Sequence, residues 1–144
     1  MRLRVLAVGK APAWIDEGFH SYAQRLPPDN ALELVVVSGR AGQSEGERLL
    51  AAVRAREVTV VLDRGGRPLS SEGLASLLAD WRMDGRDIAI LIGGADGFAA
   101  RIRDKAEHVI SLSPLTFPHL LVRVLIAEQV YRAWSILAGH PYHR

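Results

Sequence analysis

Five apolar segments rich in branched side chains recur along the chain, and they constrain its fold more than any other feature. They occupy residues 3–9, 32–38, 58–63, 87–94 and 108–113. Each is apolar almost throughout, whereas a strand with one face in solvent alternates polar and apolar residues. Helix-like stretches separate most of them. We therefore predict an α/β fold in which about five strands form a parallel sheet covered by helices on both faces.

The intervening segments carry helix signals. We expect helices at residues 13–26, 46–55, 70–82 and 118–139. The third begins with two serines followed by Glu72, which is typical of a helix start. In the last, apolar residues lie all around the helix axis, which predicts burial on most sides. Glu128 and Arg132 on this helix have the i, i+4 spacing that favours an ion pair.

Size and composition predict a single domain over residues 1–144, because a chain of 144 residues that is 49% hydrophobic can bury about two-thirds of its unfolded surface. The chain has no cysteine, which excludes disulfides, iron–sulfur clusters and thiolate metal sites. Arg123 and Glu128 interrupt the longest apolar stretch, which is then too short to cross a membrane. The apolar run at residues 5–8 is too short for a signal peptide. We expect a cytoplasmic protein without a membrane partner.

The basic residues are almost all arginines. Only Lys10 and Lys105 are lysines, and the formal net charge is +2. Arginine suits bidentate contacts with phosphate groups. The composition is therefore compatible with an RNA partner, although so small a net charge is ordinary for a soluble protein and does not establish one.

Three loops follow the last three predicted strands and are the candidate site. Their sequences are "LDRGGRP", "IGGADGF" and "SLSPLTFPH", and each contains glycine or proline where the backbone turns sharply. Ligands of open α/β sheets bind beyond the carboxyl ends of the strands, so we predict one pocket formed by these loops. The second loop lacks the lysine and hydroxyl of a P-loop and the spacing of a dinucleotide fingerprint. Its glycines would allow close contact with an adenosine-like ligand.

Metal and hydrolase chemistry find little support. His140 and His143 lie three residues apart near the C-terminus, but no cysteine or paired carboxylate motif accompanies them, so we predict no metal site. No G-x-S-x-G motif occurs. Arg123 lies one turn beyond the proline-bracketed loop and can face the same pocket, which makes it a better functional candidate than Arg132.

Two segments, "LIGGADGF" and "SLSPLTFPHLLVRVLIAEQVYRAWSILAGHPYHR", closely resemble the RlmH family. This family comprises SPOUT-class methyltransferases that modify N3 of a pseudouridine in 23S (large-subunit) ribosomal RNA. The N-terminal segments "LRVLAVGK" and "GFHSYAQRL" are also similar to the family, so the resemblance covers essentially the whole chain. It implies a C-terminal trefoil knot, which is an exception to the rule that chains are unknotted, and it implies a homodimer.

The resemblance also implies S-adenosyl-L-methionine as methyl donor, bound by the loops after the third, fourth and fifth strands. The turn between Pro114 and Pro118 would be a stiff knot loop whose backbone reads the adenine edge. The positions that match the family's cofactor-binding residues are Leu62, Gly93, Gly94, Leu112, Ser113, Pro114, Leu115, Thr116 and Phe117.

A further set of matched positions is expected to meet the RNA or to assist transfer: Arg123, Tyr142, His143 and Arg144. As a hypothesis, Arg123 or Arg144 stabilises the developing uracil anion and His143 helps to remove the N3 proton. The family acts on assembled ribosomes. This chain is shorter than usual around "SGRAGQSEGERLL", and we expect the shortening to reduce contacts with ribosomal RNA. Within it, the glycines and polar residues at 38–46 predict an exposed, mobile loop.

Two alternatives remain open. A non-catalytic knotted RNA-binding protein would use the same glycine and proline loops only to shape its fold. A SPOUT methyltransferase acting on another RNA, such as tRNA, would carry the same cofactor motif. A metabolite-binding Rossmann protein is compatible with the fold class but lacks the glycine fingerprint after its first strand.

Overall fold

The computed structural model describes residues 1–38, 42–94 and 96–144. Within them lie five strands, β1 (Arg2–Val8), β2 (Ala31–Val37), β3 (Val58–Pro68), β4 (Ile88–Ile92) and β5 (His108–Ser111). The α-helices are α1 (Ala13–Ala23), α2 (Glu45–Ala51), α3 (Ser71–Asp84), α4 (Ala100–Lys105) and α5 (His119–Ala138). Short 3-10 turns occupy Pro28–Asn30 and Pro141–His143.

The strands form one sheet in the order β2-β1-β4-β3-β5, and every neighbouring pair is parallel. This confirms the predicted parallel α/β sheet. Because parallel strands place their carboxyl ends at one edge, the part of β3 that follows Leu62 and the loops after β4 and β5 emerge side by side. The strand order therefore brings the three candidate loops to one place.

Helices cover both faces of the sheet. On one face, Val5 and Val60 belong to a cluster that includes Phe19 of α1, Leu78 of α3 and Ile126 of α5. On the other face, β-strand residues pack with members of α2 and α4, namely Leu6, Val61, Leu91, Leu49 and Ile102. Alternate residues of one strand thus face two different cores, which is why the strands are apolar throughout.

Strand β3 is longer than the sequence predicted. The prediction ended it at Asp63, but the strand continues to Pro68, and both Leu62 and Arg67 pair with Ile110 of β5. The four residues between them bulge out of the ladder. Gly66 lies so close to β5 that an added Cβ would be 2.8 Å from the carbonyl carbon of Ile110, so only glycine fits at this crossing.

The helices differ from the predictions mainly at their ends. Helix α2 ends at Ala51, earlier than expected, and α4 was not predicted at all. Helix α3 has the expected hydroxyl cap, because the backbone N–H of Gly73 donates to Oγ of Ser70 at 3.0 Å. The prediction of an exposed loop at residues 38–46 falls partly outside the described residues, at positions 39–41.

Helix α5 is the longest helix and is buried on most sides, as predicted. No residue from Leu120 to Ile136 is exposed. The expected pair on this helix is present, with Nη2 of Arg132 lying 2.6 Å from Oε1 of Glu128. The helix begins after Pro118 and ends at Ala138, and the left-handed backbone of Gly139 closes its last turn.

A buried ion pair ties β1 to the segment after α2. Nε and Nη2 of Arg4 donate to the two carboxylate oxygens of Glu57 at 2.8 and 2.6 Å. Nη2 of Arg4 also donates to the carbonyl oxygen of Ala52, and the backbone N–H of Arg54 donates to Glu57. The pair is thus satisfied on both sides, which a buried ion pair requires.

Candidate active site

A pocket of about 670 Å³ opens at the carboxyl edge of the sheet. The bulged segment of β3, the loops after β4 and β5 and the first turns of α5 line it. Eight of the nine predicted cofactor-binding residues are among its lining: Leu62, Gly93, Gly94, Leu112, Ser113, Leu115, Thr116 and Phe117. The ninth, Pro114, lies in the same loop but does not line the pocket. The loops therefore meet as the sequence predicted, and the binding roles stay predictions.

The loop after β4 needs its two glycines for space. A Cβ at Gly93 would lie 2.8 Å from Cε2 of the Phe98 ring, which packs behind the loop. A Cβ at Gly94 would overlap the carboxylate of Glu45, at the start of α2. The loop thus lies tight between its own phenylalanine and α2. Both glycines line the pocket.

The loop after β5 is stiffened by its own serines. Oγ of Ser111 donates to the carbonyl oxygen of Ser113 at 3.1 Å, and Oγ of Ser113 accepts from the backbone N–H of Leu115 at 3.0 Å. Oγ1 of Thr116 accepts a hydrogen bond from Nη1 of Arg64. Leu115 itself is 70% exposed at the pocket rim, an unusual position for a leucine. The loop thus has a backbone held by hydrogen bonds and places apolar side chains at the opening of the pocket.

Charged residues at the pocket were missed by the sequence analysis. Asp63, Arg64 and Asp96 line it alongside His119. Oδ2 of Asp63 accepts from the backbone N–H of Gly65 at 3.0 Å and lies 3.7 Å from Nη1 of Arg103. Asp63 and Arg64 directly follow Leu62 in "LDRGGRP", a segment that the sequence already placed at the pocket. Their position could therefore have identified them, but the sequence argument used only the glycines of this segment.

Arg123 lies beneath the pocket and is not among the residues that line it. The side chain is 1% exposed, and its Nη2 donates to the carbonyl oxygens of Val8 and Gly9 at 3.1 and 2.7 Å. Its Nε and Nη1 have no hydrogen-bond partner among the described residues. Burial lowers the pKa of this guanidinium. Arg123 thus fixes the end of β1 against α5, and a direct role in transfer stays a prediction.

The C-terminal residues form a turn that folds back on α5. The Tyr142 hydroxyl donates to Oε1 of Glu128 at 3.0 Å, and the Tyr142 ring packs against Tyr131 with centroids 4.6 Å apart. Burial, followed by the hydrogen bond to Glu128, raises the pKa of Tyr142 to about 12. Nδ1 of His143 lies 3.5 Å from Oγ of Ser135.

The structure does not bring the tail and the pocket together within one chain. Tyr142, His143 and Arg144 do not line the pocket. Glu128, which holds Tyr142, is nine residues along α5 from His119 at the pocket, a separation of about 14 Å along the helix axis. The predicted site therefore divides into two groups, the loop residues around the pocket and the tail residues farther along α5.

The described residues were also compared with the requirements of a metal site and of a membrane-spanning helix. No group of three or more histidine, cysteine or acidic side chains that could hold a metal ion occurs in them. In the same part of the chain, no helix has both the length and the apolar character needed to cross a membrane.

The parallel sheet, the glycine-lined pocket and the buried last helix agree with a family match along the chain. Residues 1–143 match the family described as "Predicted SPOUT methyltransferase", and the chain belongs to this family. More particularly, it is 46% identical to proteins of Pseudomonas putida, Pseudomonas entomophila and Azotobacter vinelandii, each named "Ribosomal RNA large subunit methyltransferase H". Each comparison spans 155 aligned positions and covers 100% of both chains. The resemblance that the sequence motifs indicated is thereby confirmed.

Proposed function

We propose that this protein transfers the methyl group of S-adenosyl-L-methionine to N3 of a pseudouridine in 23S (large-subunit) ribosomal RNA. The observation that carries the proposal is full-length identity of 46% to proteins named for large-subunit ribosomal RNA methylation. The pocket adds support, because the residues that match the family's donor-binding positions line it. The relatives thus suggest the RNA, and the pocket suggests the methyl donor.

The pocket fits an adenosine-containing methyl donor in size and chemistry. Its volume of about 670 Å³ lies within the range of small-molecule sites. The apolar side chains of Leu62 in β3 and of Leu115 and Phe117 in the loop after β5 can cover a purine ring. The bare backbone at Gly93 and the loop between Leu112 and Phe117 supplies the N–H and C=O groups that an adenine edge requires. A Cβ at Gly93 or Gly94 would clash with side chains behind the loop, so this path of the backbone needs both glycines.

When bound, the sulfonium of the donor supplies an activated methyl group, so the protein has to position the base and manage one proton. For the transfer, N3 of the base has to lose its proton. His143 accepts that proton and Arg144 stabilises the negative charge on the uracil ring. Arg123 supports the site from below by fixing the end of β1, while Tyr142 anchors the tail on Glu128.

We further propose that the protein acts as a homodimer whose C-terminal region forms a trefoil knot. Family membership supports the knot. The separation of the tail from the pocket supports the dimer, since the tail of a second copy can reach a pocket that a chain's own tail does not line. The ribosome supplies the remaining RNA-binding surface, which places the reaction in the cytoplasm.

The test is transfer of a labelled methyl group from S-adenosyl-L-methionine to ribosomes from a strain that lacks this protein. We expect label on a pseudouridine of 23S RNA, and we expect the His143→Ala and Arg144→Ala variants to bind the donor but to transfer far more slowly. Binding of the donor without transfer to ribosomes would move the target to another RNA. No binding of the donor would favour the non-catalytic alternative.

A further inference from the structure

The described pocket-lining residues carry an uneven set of charges. Two are carboxylates, Asp63 and Asp96, and one is an imidazole, His119. Arg64 is the one arginine or lysine among them. Asp63 is already paired with Arg103, so a ligand that fills this pocket is expected to present positive charge to Asp96 and negative charge at the position of Arg64.

Arg64 is held in place without being neutralised. It lies in the segment that bulges out of β3, where its Nη1 donates to Oγ1 of Thr116 across the pocket rim. A guanidinium carries five N–H groups, and this contact uses one of them. Arg64 forms no ion pair with any acidic residue that the structure describes, whereas the neighbouring Arg103 lies 3.7 Å from Asp63. Its remaining N–H groups are thus available to an anion.

The charges of S-adenosyl-L-methionine match this pattern. Its amino-acid end has one carboxylate, and its sulfonium and ammonium groups are cationic. Planar, forked N–H groups bind a carboxylate through two parallel hydrogen bonds, which makes arginine better suited than lysine. We propose that Arg64, aimed by Thr116, binds the carboxylate of the donor's amino-acid end. This inference rests on the proposed function, because it assumes the same methyl donor.

A phosphate of the RNA backbone is the rival ligand for Arg64. Measuring donor binding in the absence of RNA distinguishes the two ligands. A contact to the donor's carboxylate changes the affinity for the donor alone, and only when the donor has that carboxylate. A contact to RNA phosphate changes the affinity for ribosomes and leaves the affinity for the donor unchanged.

The experiment measures the dissociation constants of two compounds by calorimetry without RNA: S-adenosylhomocysteine and its analogue that lacks only the carboxylate. The variant is Arg64→Gln, and the matched control is Arg67→Gln, because Arg67 is exposed on the same strand but does not line the pocket. We expect Arg64→Gln to raise the dissociation constant of S-adenosylhomocysteine roughly tenfold or more and to change that of the analogue by no more than about twofold. Arg67→Gln should change neither constant.

Equal weakening of both compounds by Arg64→Gln would overturn the assignment, because the residue would then only shape the pocket. Unchanged affinity for both, with weaker ribosome binding, would assign Arg64 to RNA phosphate instead. If the wild-type protein binds S-adenosylhomocysteine and shows the carboxylate dependence but methylates no ribosomal RNA, Arg64 keeps its role and the proposed target fails. If it binds neither compound, both proposals fail.

Discussion

Replacing Glu57 by glutamine is expected to destabilise the fold strongly, because it leaves the guanidinium of Arg4 buried without a counter-charge. The two side chains are only 5% and 4% exposed, and both carboxylate oxygens accept hydrogen bonds from Arg4. Removing one partner of such a buried pair costs about 3–5 kcal/mol. Glutamine keeps the size of the side chain and one acceptor oxygen, so we expect a loss of about 3 kcal/mol in the free energy of unfolding.

The assay is urea unfolding followed by circular dichroism near neutral pH, at one fixed protein concentration because the stability of the proposed dimer would depend on it. The matched control is Glu47→Gln, which breaks the exposed pair with Arg101, whose side chain is 64% exposed. That change should cost less than about 0.5 kcal/mol. Similar losses in the two variants, or a loss below about 1 kcal/mol for Glu57→Gln, would refute the argument from burial.

Acid provides a second test of the same pair. Burial pushes the pKa of Glu57 upward, but the hydrogen bonds from Arg4 and from the backbone of Arg54 outweigh it and hold the pKa below the usual 4.5. A carboxyl group with a lowered pKa contributes stability above its unfolded pKa and loses it as the pH falls through its folded pKa. The difference in unfolding free energy between wild type and Glu57→Gln should therefore be largest near neutral pH and shrink as the pH falls below 4.5.

Three further outcomes are expected. Gly93→Ala should weaken S-adenosylhomocysteine binding at least about tenfold, because its Cβ would lie 2.8 Å from the Phe98 ring; unchanged affinity in calorimetry would contradict the tight packing of this loop. Glu128→Gln should lower the pKa of the Tyr142 phenol from about 12 in an ultraviolet titration and slow methyl transfer, since it loosens the tail; a pKa that stays in place would show that Glu128 does not hold the tail. Ser70→Ala should cost about 1 kcal/mol of unfolding free energy through loss of the α3 cap, and a loss near zero in urea unfolding would contradict that role.

The sheet could be predicted from the sequence because burial on both faces leaves a direct mark. Strands such as β4 must be apolar at every position when two cores cover them, and all five residues of Ile88–Ile92 are buried. Helix α4 left no comparable mark, since only Ile102 of its six residues is buried and no side chain caps its start. The extension of β3 was missed because "RGGRP" looks like a turn, while its pairing depends on contact with β5, a distant segment.

The pocket could be predicted in outline because the segments that follow parallel strands lie at one edge of the sheet. The directions of individual side chains could not be predicted. Arg123 lies one turn beyond the loop, as expected, but its guanidinium turns inward to the carbonyl groups at the end of β1. Arg64 looks like an ordinary surface residue until Thr116 is found beside it. Such contacts join residues far apart in sequence, so no local pattern reports them.

The methylation state of 23S RNA in cells is the decisive test of the proposed function. We would delete the gene, digest the 23S RNA and weigh the modified nucleosides by mass spectrometry. We expect a pseudouridine to lose one N3 methyl group in the deletion strain, to regain it with the wild-type protein and not to regain it with the His143→Ala variant. The same methylated pseudouridine in the deletion strain and its parent would contradict the proposed function.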